Sequence, residues 1–103
     1  MTTTIVAERD VSLASVDRLA AALRESLARG ALTRLDLSAV AAPDLALLQL
    51  VEAARHQATR DGTDLALSAP AGATLADALA RSGFTAGFDA DDHVFWFHGE
   101  LPR

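Results

Sequence analysis

The sequence predicts a single α/β domain in which helices pack on a small, mostly parallel or mixed β-sheet, in the order β-α-β-α-β-α-β. Two observations predict this class. A chain of 103 residues, half of them hydrophobic, suits one core and leaves no room for a second. Short β-branched or apolar runs also alternate with longer segments of helical periodicity, which favours parallel strands. We therefore expect one domain over residues 1–103.

The start of the chain predicts one strand and one helix. The run "TTTIVAE" is short and β-branched, as in a strand. In the segment that follows, apolar residues recur at helical spacing at Leu13, Val16, Ala20, Leu23 and Leu27. Ser12 or Ser15 can cap the start of this helix, and Gly30 suits the left-handed position beyond its end.

Turn residues separate the next strand, helix and strand. "TRLDLSA" is typical of a short buried strand. The second helix is expected from about Leu45 to Arg60, with Asp44 as its N-cap, and the "DG" pair after it ends the helix. "TDLALSAP" then predicts a strand that is closed by proline.

A third helix is predicted in "ATLADALARSGF". Thr74 and Asp77 fit a capping box at its start, and Leu75 and Leu79 face inward. The Gly83–Phe84 pair is typical of a helix end with its hydrophobic contact.

The charged run "DADD" is predicted to be a turn, and the aromatic tail "HVFWFHG" a final strand. Alternation would put Phe95 and Phe97 on one side of that strand, and Val94, Trp96 and His98 on the other. One set is expected to fill the core. The other set would cover the sheet or form a homodimer contact.

The composition excludes several classes of function. A net charge of −5 opposes binding to nucleic acid or anionic lipid. The absence of cysteine and lysine excludes thiolate chemistry, Schiff bases and a P-loop. "MTTTIVAERD" does not have the pattern of a signal peptide, and no apolar run approaches the roughly 18 residues of a membrane span. A cytoplasmic protein is therefore the expectation.

Catalytic and metal-binding patterns are scarce. No nucleophile stands beside a base in a known motif, so we expect a protein that is not an enzyme and that needs no cofactor. His93 and His98 could bind a metal with Asp91 and Asp92, but five residues along a strand place the histidines on opposite faces. Asp36 either binds a ligand at the carboxyl end of its strand or hydrogen-bonds the next loop, and we favour the second role.

The second helix carries the candidate site. At 100° per residue its apolar face comprises Leu47, Leu50, Val51, Ala54 and Ala58. Leu45 falls on the opposite side with Gln49, Glu52 and His56. A large apolar side chain therefore points outward at the start of a helix, next to the N-cap Asp44. These five residues are the predicted partner-binding surface.

The stretch "LDLSAVAAPDLALLQLVEAARHQATRDGTDLALSAP" resembles the STAS domain of anti-sigma-factor antagonists. "LDLSAV" matches the family's Asp-containing strand, Asp44 its motif Asp, and Leu48 its motif Leu. "ALARSGF" matches the end of its third helix, so that the resemblance runs from about Leu32 to Phe84. In three respects the chain departs from the family. Leu45 occupies the phospho-acceptor Ser/Thr position and Leu47 the motif Gly position, and only one strand precedes the first helix where two are usual.

The resemblance implies a non-catalytic protein–protein interaction module without the phosphorylation switch, because Leu45 has no hydroxyl. The implied partner is an anti-sigma-factor kinase, a chemotaxis-type signalling protein or the ATPase of a lipid-transport ABC system. Nucleotide binding at the start of the second helix is an alternative. Asp44 and the negative net charge weigh against it.

Overall fold

Three strands and four helices make up the part of the chain that the computed structural model describes, residues 2–99. Residue 1 and residues 100–103 of the predicted domain lie outside this part. The strands are β1 (Thr2–Val6), β2 (Leu32–Asp36) and β3 (Asp64–Leu67). The helices are α1 (Leu13–Ala28), α2 (Leu45–Asp61), α3 (Ala73–Arg81) and α4 (Ala90–Phe97), with a 3-10 turn at Thr85–Gly87. The predicted α/β class is confirmed.

The sheet has the strand order β1-β2-β3, and both pairs are parallel. In the register, Ile5 lies opposite Leu35, and Leu35 lies opposite Leu67. Right-handed crossovers that step in one direction place α1 and α2 on the same face of the sheet. The molecule extends 18 Å along its shortest axis, which accommodates one sheet and one helical layer.

The two faces of the sheet differ in burial. Alternate residues under the helices are buried: Thr33, Leu35, Leu65 and Leu67. The other face is exposed or half-buried and is called the outer face; it consists of Thr2, Thr4, Val6, Leu32, Arg34, Asp36, Asp64 and Ala66. An Arg34–Asp64 ion pair of 3.0 Å crosses it. Parallel sheets are normally covered on both faces, so this one is unusually open.

The core lies between the sheet and the helices. Its wholly enclosed side chains include Leu23 of α1, Leu35 of β2 and Trp96 of α4. A hydroxyl pair is also buried there, because Ser26 Oγ of α1 lies 2.6 Å from Thr33 Oγ1 of β2. These two hydroxyls satisfy each other and so avoid the cost of burying an unpaired polar group.

The first helix begins at a capping box formed by Ser12 and Ser15, where the sequence had left open which of the two is the cap. Ser12 is the N-cap, and Ser12 and Ser15 each accept a hydrogen bond from the other's backbone N–H. Gly30 has a φ of +71°, as predicted for the left-handed position. The apolar face differs from the expectation at Leu13, whose side chain is 82% exposed. As the first residue of the helix, Leu13 lies before the turns that pack on the sheet.

The predicted final strand is wrong, because "DADD" starts the helix α4. Asp89 accepts a hydrogen bond from the Asp92 N–H at 2.9 Å, and Asp92 accepts one from the Asp89 N–H at 2.9 Å. This capping box outweighs the β propensity of the aromatic residues. Three consecutive side chains are buried, Phe95, Trp96 and Phe97. The homodimer contact predicted for one face of a strand therefore loses its basis.

The start of the third helix also differs from the prediction. Gly72 is the N-cap and makes no side-chain cap, so the Thr74–Asp77 capping box is wrong. Asp77 instead pairs with Arg81, one turn later, at 2.8 Å. The predicted helix end is confirmed: Gly83 has a φ of +81°, and the Phe84 N–H donates to the Leu79 carbonyl at 2.9 Å.

Candidate functional site

The start of α2 is fixed by Asp44, as the sequence predicted. The Leu47 N–H donates to Asp44 Oδ1 at 2.9 Å, which satisfies one of the free donors of the first turn. At the other end Gly62 has a φ of +70° and ends the helix. The Asp44 carboxylate therefore has a structural role at the position that the resemblance assigns to the motif Asp.

Leu45 is the first residue of α2, and its side chain is 48% exposed. The buried face of the helix consists of Leu47, Leu48, Val51, Ala54 and Ala58. Leu50, which the sequence placed on that face, is only half-buried. Leu48 is wholly enclosed because the core extends round α2 toward α4, which a helical projection of α2 alone does not show.

Gln49 and His56 are exposed, in agreement with the sequence, and lie one and three turns beyond Leu45. These three residues form one continuous strip, called the α2 strip. It presents an apolar side chain at the amino end of the helix and polar side chains along the rest. Three of the five predicted residues thus lie together on one exposed strip, and a fourth, the cap Asp44, borders it.

The side chain of Glu52, the fifth predicted member of the surface, is mostly buried and bonded to other residues of the chain. Its Oε1 accepts a hydrogen bond from Trp96 Nε1 at 2.8 Å and lies 3.4 Å from the Arg55 guanidinium. Its Oε2 lies 3.3 Å from His56 Nε2. The Glu52 side chain is only 23% exposed. The sequence could not predict this, because it placed Trp96 on a strand.

Arg55 and Glu52 belong to a polar cluster that joins α2 to α4, called the α2–α4 cluster: Glu52, Arg55, Asp92 and Trp96. Arg55 Nη2 lies 2.5 Å from Asp92 Oδ1, and the guanidinium lies 5.1 Å from the centre of the Phe95 ring. Burial alone would raise the pKa of Asp92. The Asp89 N–H and the Arg55 cation outweigh burial and hold that pKa below its ordinary value.

Asp36 fills the structural role favoured from the sequence. Its Oδ1 accepts hydrogen bonds from the Ser38 hydroxyl at 2.6 Å and from the Ser38 N–H at 2.8 Å. Both bonds favour the ionised form and lower the pKa of Asp36. The carboxylate thus shapes the loop between β2 and α2, and that loop in turn positions Asp44 and Leu45.

Val6 and Leu13 are exposed apolar residues at the same end of the molecule as Leu45, and the sequence did not predict their exposure. In a parallel α/β fold the helices begin where the strands end, so Val6, Leu13 and Leu45 all lie at the carboxyl edge of the sheet. Val6 is 61% exposed. The loops that carry them are joined, because the Ala41 N–H donates to the Arg9 carbonyl at 3.0 Å. Leu13 directly follows an N-cap, and that position was the available signal.

The two histidines considered as metal ligands, His93 and His98, have packing and hydrogen-bonding roles. His93 packs edge-to-face on Phe88 with ring centres 5.4 Å apart, and His98 Nε2 lies 3.0 Å from the Leu67 carbonyl oxygen. In residues 2–99 no three histidine, aspartate or glutamate side chains are grouped as a metal site. None of the helices in that range is long and apolar enough to cross a membrane.

Comparison with known proteins adds no relative. Neither a family model, nor a curated protein, nor a solved structure matches this chain.

Proposed function

We propose that this chain is a non-catalytic, STAS-like interaction module that binds a cytoplasmic protein through the exposed face of α2, beginning at the carboxyl edge of the sheet. The contact residues are Leu45, Gln49 and His56 of the α2 strip, with the N-cap Asp44 beside Leu45 and the exposed Leu13 at the same edge of the sheet. One observation carries the proposal: the first residue of α2 is a large apolar side chain that is 48% exposed.

The polar groups at this edge are already used, which favours contact over chemistry. Asp36 is bound by Ser38, and Asp44 is bound by the Leu47 N–H. An exposed apolar side chain bordered by polar side chains is consistent with the apolar centre and polar rim of an interface. Leu45 also removes the switch that the resemblance implies, because a leucine cannot accept phosphate. Binding through this surface is then constitutive.

The resemblance supports three classes of partner: an anti-sigma-factor kinase, a chemotaxis-type signalling protein and the ATPase of a lipid-transport ABC system. All three are protein surfaces, so the same apolar anchor serves each of them. The genes beside the one that encodes this chain indicate which class to test first.

The test is a quantitative pull-down with the proteins encoded by those neighbouring genes as prey. Leu45→Asp places a charge at the centre of the surface and is expected to lower binding at least tenfold, about 1.4 kcal/mol. Val94→Asp is the matched control, because Val94 is an exposed apolar residue of α4. Its binding should equal that of the wild type.

Two results contradict the proposal. Equal binding by wild type and Leu45→Asp places the interface elsewhere. Loss of binding in both variants shows a general effect of added negative charge instead of a contact at the α2 strip.

A further inference from the structure

The free edge of β1 presents an unpaired row of backbone groups. The Ala7 N–H donates to the Asp36 carbonyl at 2.9 Å. Backbone direction alternates along a strand, so the groups of Thr3 and Ile5 also face β2. The N–H and C=O groups that point away from the sheet belong to Thr2, Thr4 and Val6.

The opposite edge of the sheet, at β3, is covered by another element. The Ser68 N–H donates to the Leu35 carbonyl at 2.9 Å, so the groups of Leu67 point outward from β3. His98 Nε2 donates to that outward Leu67 carbonyl at 3.0 Å, and α4 packs beside the strand. In the described residues, no side chain or loop takes up the outward groups of β1 in this way.

Nothing in β1 prevents another strand from pairing with it. Natural edge strands are protected by lysine, proline, bulges or inward-pointing charges. The run from Thr2 to Ala7 is "TTTIVA", which has no charge, no proline and no glycine, and the strand is paired without interruption to β2. Three of its residues are threonine, whose β-branched side chain suits a strand.

We propose that a second copy of this chain pairs with β1, antiparallel, about a two-fold axis at Thr4. This register puts Thr4 opposite Thr4 of the second copy and Thr2 opposite its Val6. Every outward backbone group of one strand then meets a complementary group of the other. The product is a continuous six-stranded sheet, within the usual range of sheet sizes.

Charge around this edge permits two copies to approach. Arg18 of α1 lies over it and holds Glu8 by a bond of 2.8 Å. The same face of α1 continues to Glu25 and Arg29, which pair with each other at 2.9 Å. Two acidic and two basic side chains make the strip locally neutral, although the whole chain carries −5. Antiparallel copies therefore meet with no net repulsion there.

The second copy also completes the cover over Ile5. This side chain faces the helices yet is only half-buried, beside a mainly apolar cleft of about 160 Å³ between β1 and α1. In the proposed register Thr3 of the second copy lies directly opposite Ile5 on that face. Cross-strand contact between two β-branched side chains stabilises a pair of this kind.

The register is tested by single cysteines, since the chain has none of its own. In Thr4→Cys the two thiols are opposite each other in a hydrogen-bonded pair with Cα atoms about 5.5 Å apart, within the range of disulfides. In Thr2→Cys each thiol faces Val6 instead. We expect mild oxidation to cross-link Thr4→Cys into a covalent dimer and to leave Thr2→Cys without a covalent link, so that denaturing, non-reducing electrophoresis separates the two variants.

The hydrogen bonds are tested by Thr4→Pro, with Thr4→Val as the control. Proline removes an N–H that points away from β2, so the native sheet keeps all its bonds. Sedimentation from micromolar to near-millimolar concentration should give twice 10.8 kDa for the wild type and Thr4→Val. Thr4→Pro should remain at 10.8 kDa, with an unchanged far-UV circular dichroism spectrum that shows it is folded.

The proposal is overturned if the wild type is monomeric over the whole range, which would leave the edge to a different protein. A dimer that persists in Thr4→Pro overturns it too, because another surface must then hold the copies together. Equal cross-linking of Thr2→Cys and Thr4→Cys contradicts the register.

Discussion

The two edges of the sheet differ in whether other parts of the chain cover their outward backbone groups. At β3, α4 packs beside the strand, His98 binds the outward Leu67 carbonyl, and the α2–α4 cluster holds α4 in place. At β1 the outward backbone groups meet no other described residue, and Val6 is largely exposed. One edge is closed by α4 of the same chain. The other is left available.

This difference indicates where the free energy of folding is concentrated. The β3 side combines buried aromatic side chains with a charged network, so changes there should destabilise the fold. The β1 side and the α2 strip consist of exposed residues, where changes should affect association and leave stability nearly unaltered.

The largest effect is expected from Trp96→Ala. Trp96 is wholly enclosed and donates to Glu52 Oε1, so its removal leaves a cavity and takes away one of the hydrogen bonds to that carboxylate. We expect a loss of about 3–5 kcal/mol in the free energy of unfolding, measured by urea denaturation with circular dichroism. Trp96→Phe keeps most of the apolar area and should lose only about 1–2 kcal/mol. Equal losses in the two variants would contradict this division.

A smaller loss is expected from Arg55→Ala. The guanidinium pairs with Asp92 and Glu52, whose side chains are 19% and 23% exposed, and without it both carboxylates lose their cation. We expect a loss of about 2–3 kcal/mol, below the value for a fully buried pair because water reaches both groups. Arg24→Ala, an exposed arginine of α1, is the control and should change stability by less than about 0.5 kcal/mol. A loss at Arg55 no larger than this would show that the cluster does not hold α4.

The smallest effect is a dependence on pH at Asp92. The folded pKa of this carboxyl lies below its unfolded value, so the unfolded chain binds more protons in acid. The stability it contributes is complete above the unfolded value of about 3.9 and is lost as the pH falls through the folded value. Asp92→Asn should therefore weaken the fall in stability between about pH 5 and pH 2. Asp91→Asn changes an exposed neighbour outside the ion pair and is the control. Identical slopes in the two variants would contradict the assignment.

Local signals in the sequence predicted much of the first two-thirds of the chain. The α2 helix begins after Asp44 and ends at Gly62 because the cap and the left-handed glycine act within one turn of the helix ends. Leu45 was correctly placed outside the core, since helical periodicity fixes direction over a regular helix. Leu13 was misplaced because periodicity does not show where along a helix the packing begins.

The burial of the aromatic tail and the hydrogen-bond partner of Glu52 could be learned only from the tertiary structure. Phe95, Trp96 and Phe97 are consecutive, so neither a period of two nor a period of 3.6 accounts for their burial. Their burial arises because the end of α4 lies between α2, β3 and the segment before α3, where the Ala71 N–H donates to the Trp96 carbonyl at 2.8 Å. Glu52 became a partner of Trp96 only through that packing.

Residue identity and short-range geometry were enough to predict the α/β class, the bounds of α2, the glycine after α1 and the absence of a hydroxyl at the start of α2. The tertiary structure decided which surfaces remain open. Whether a helix covers a sheet edge or a carboxylate finds a donor depends on residues 30 or more positions apart, as with Glu52 and Trp96, separated by 44. No local pattern encodes a contact of that range.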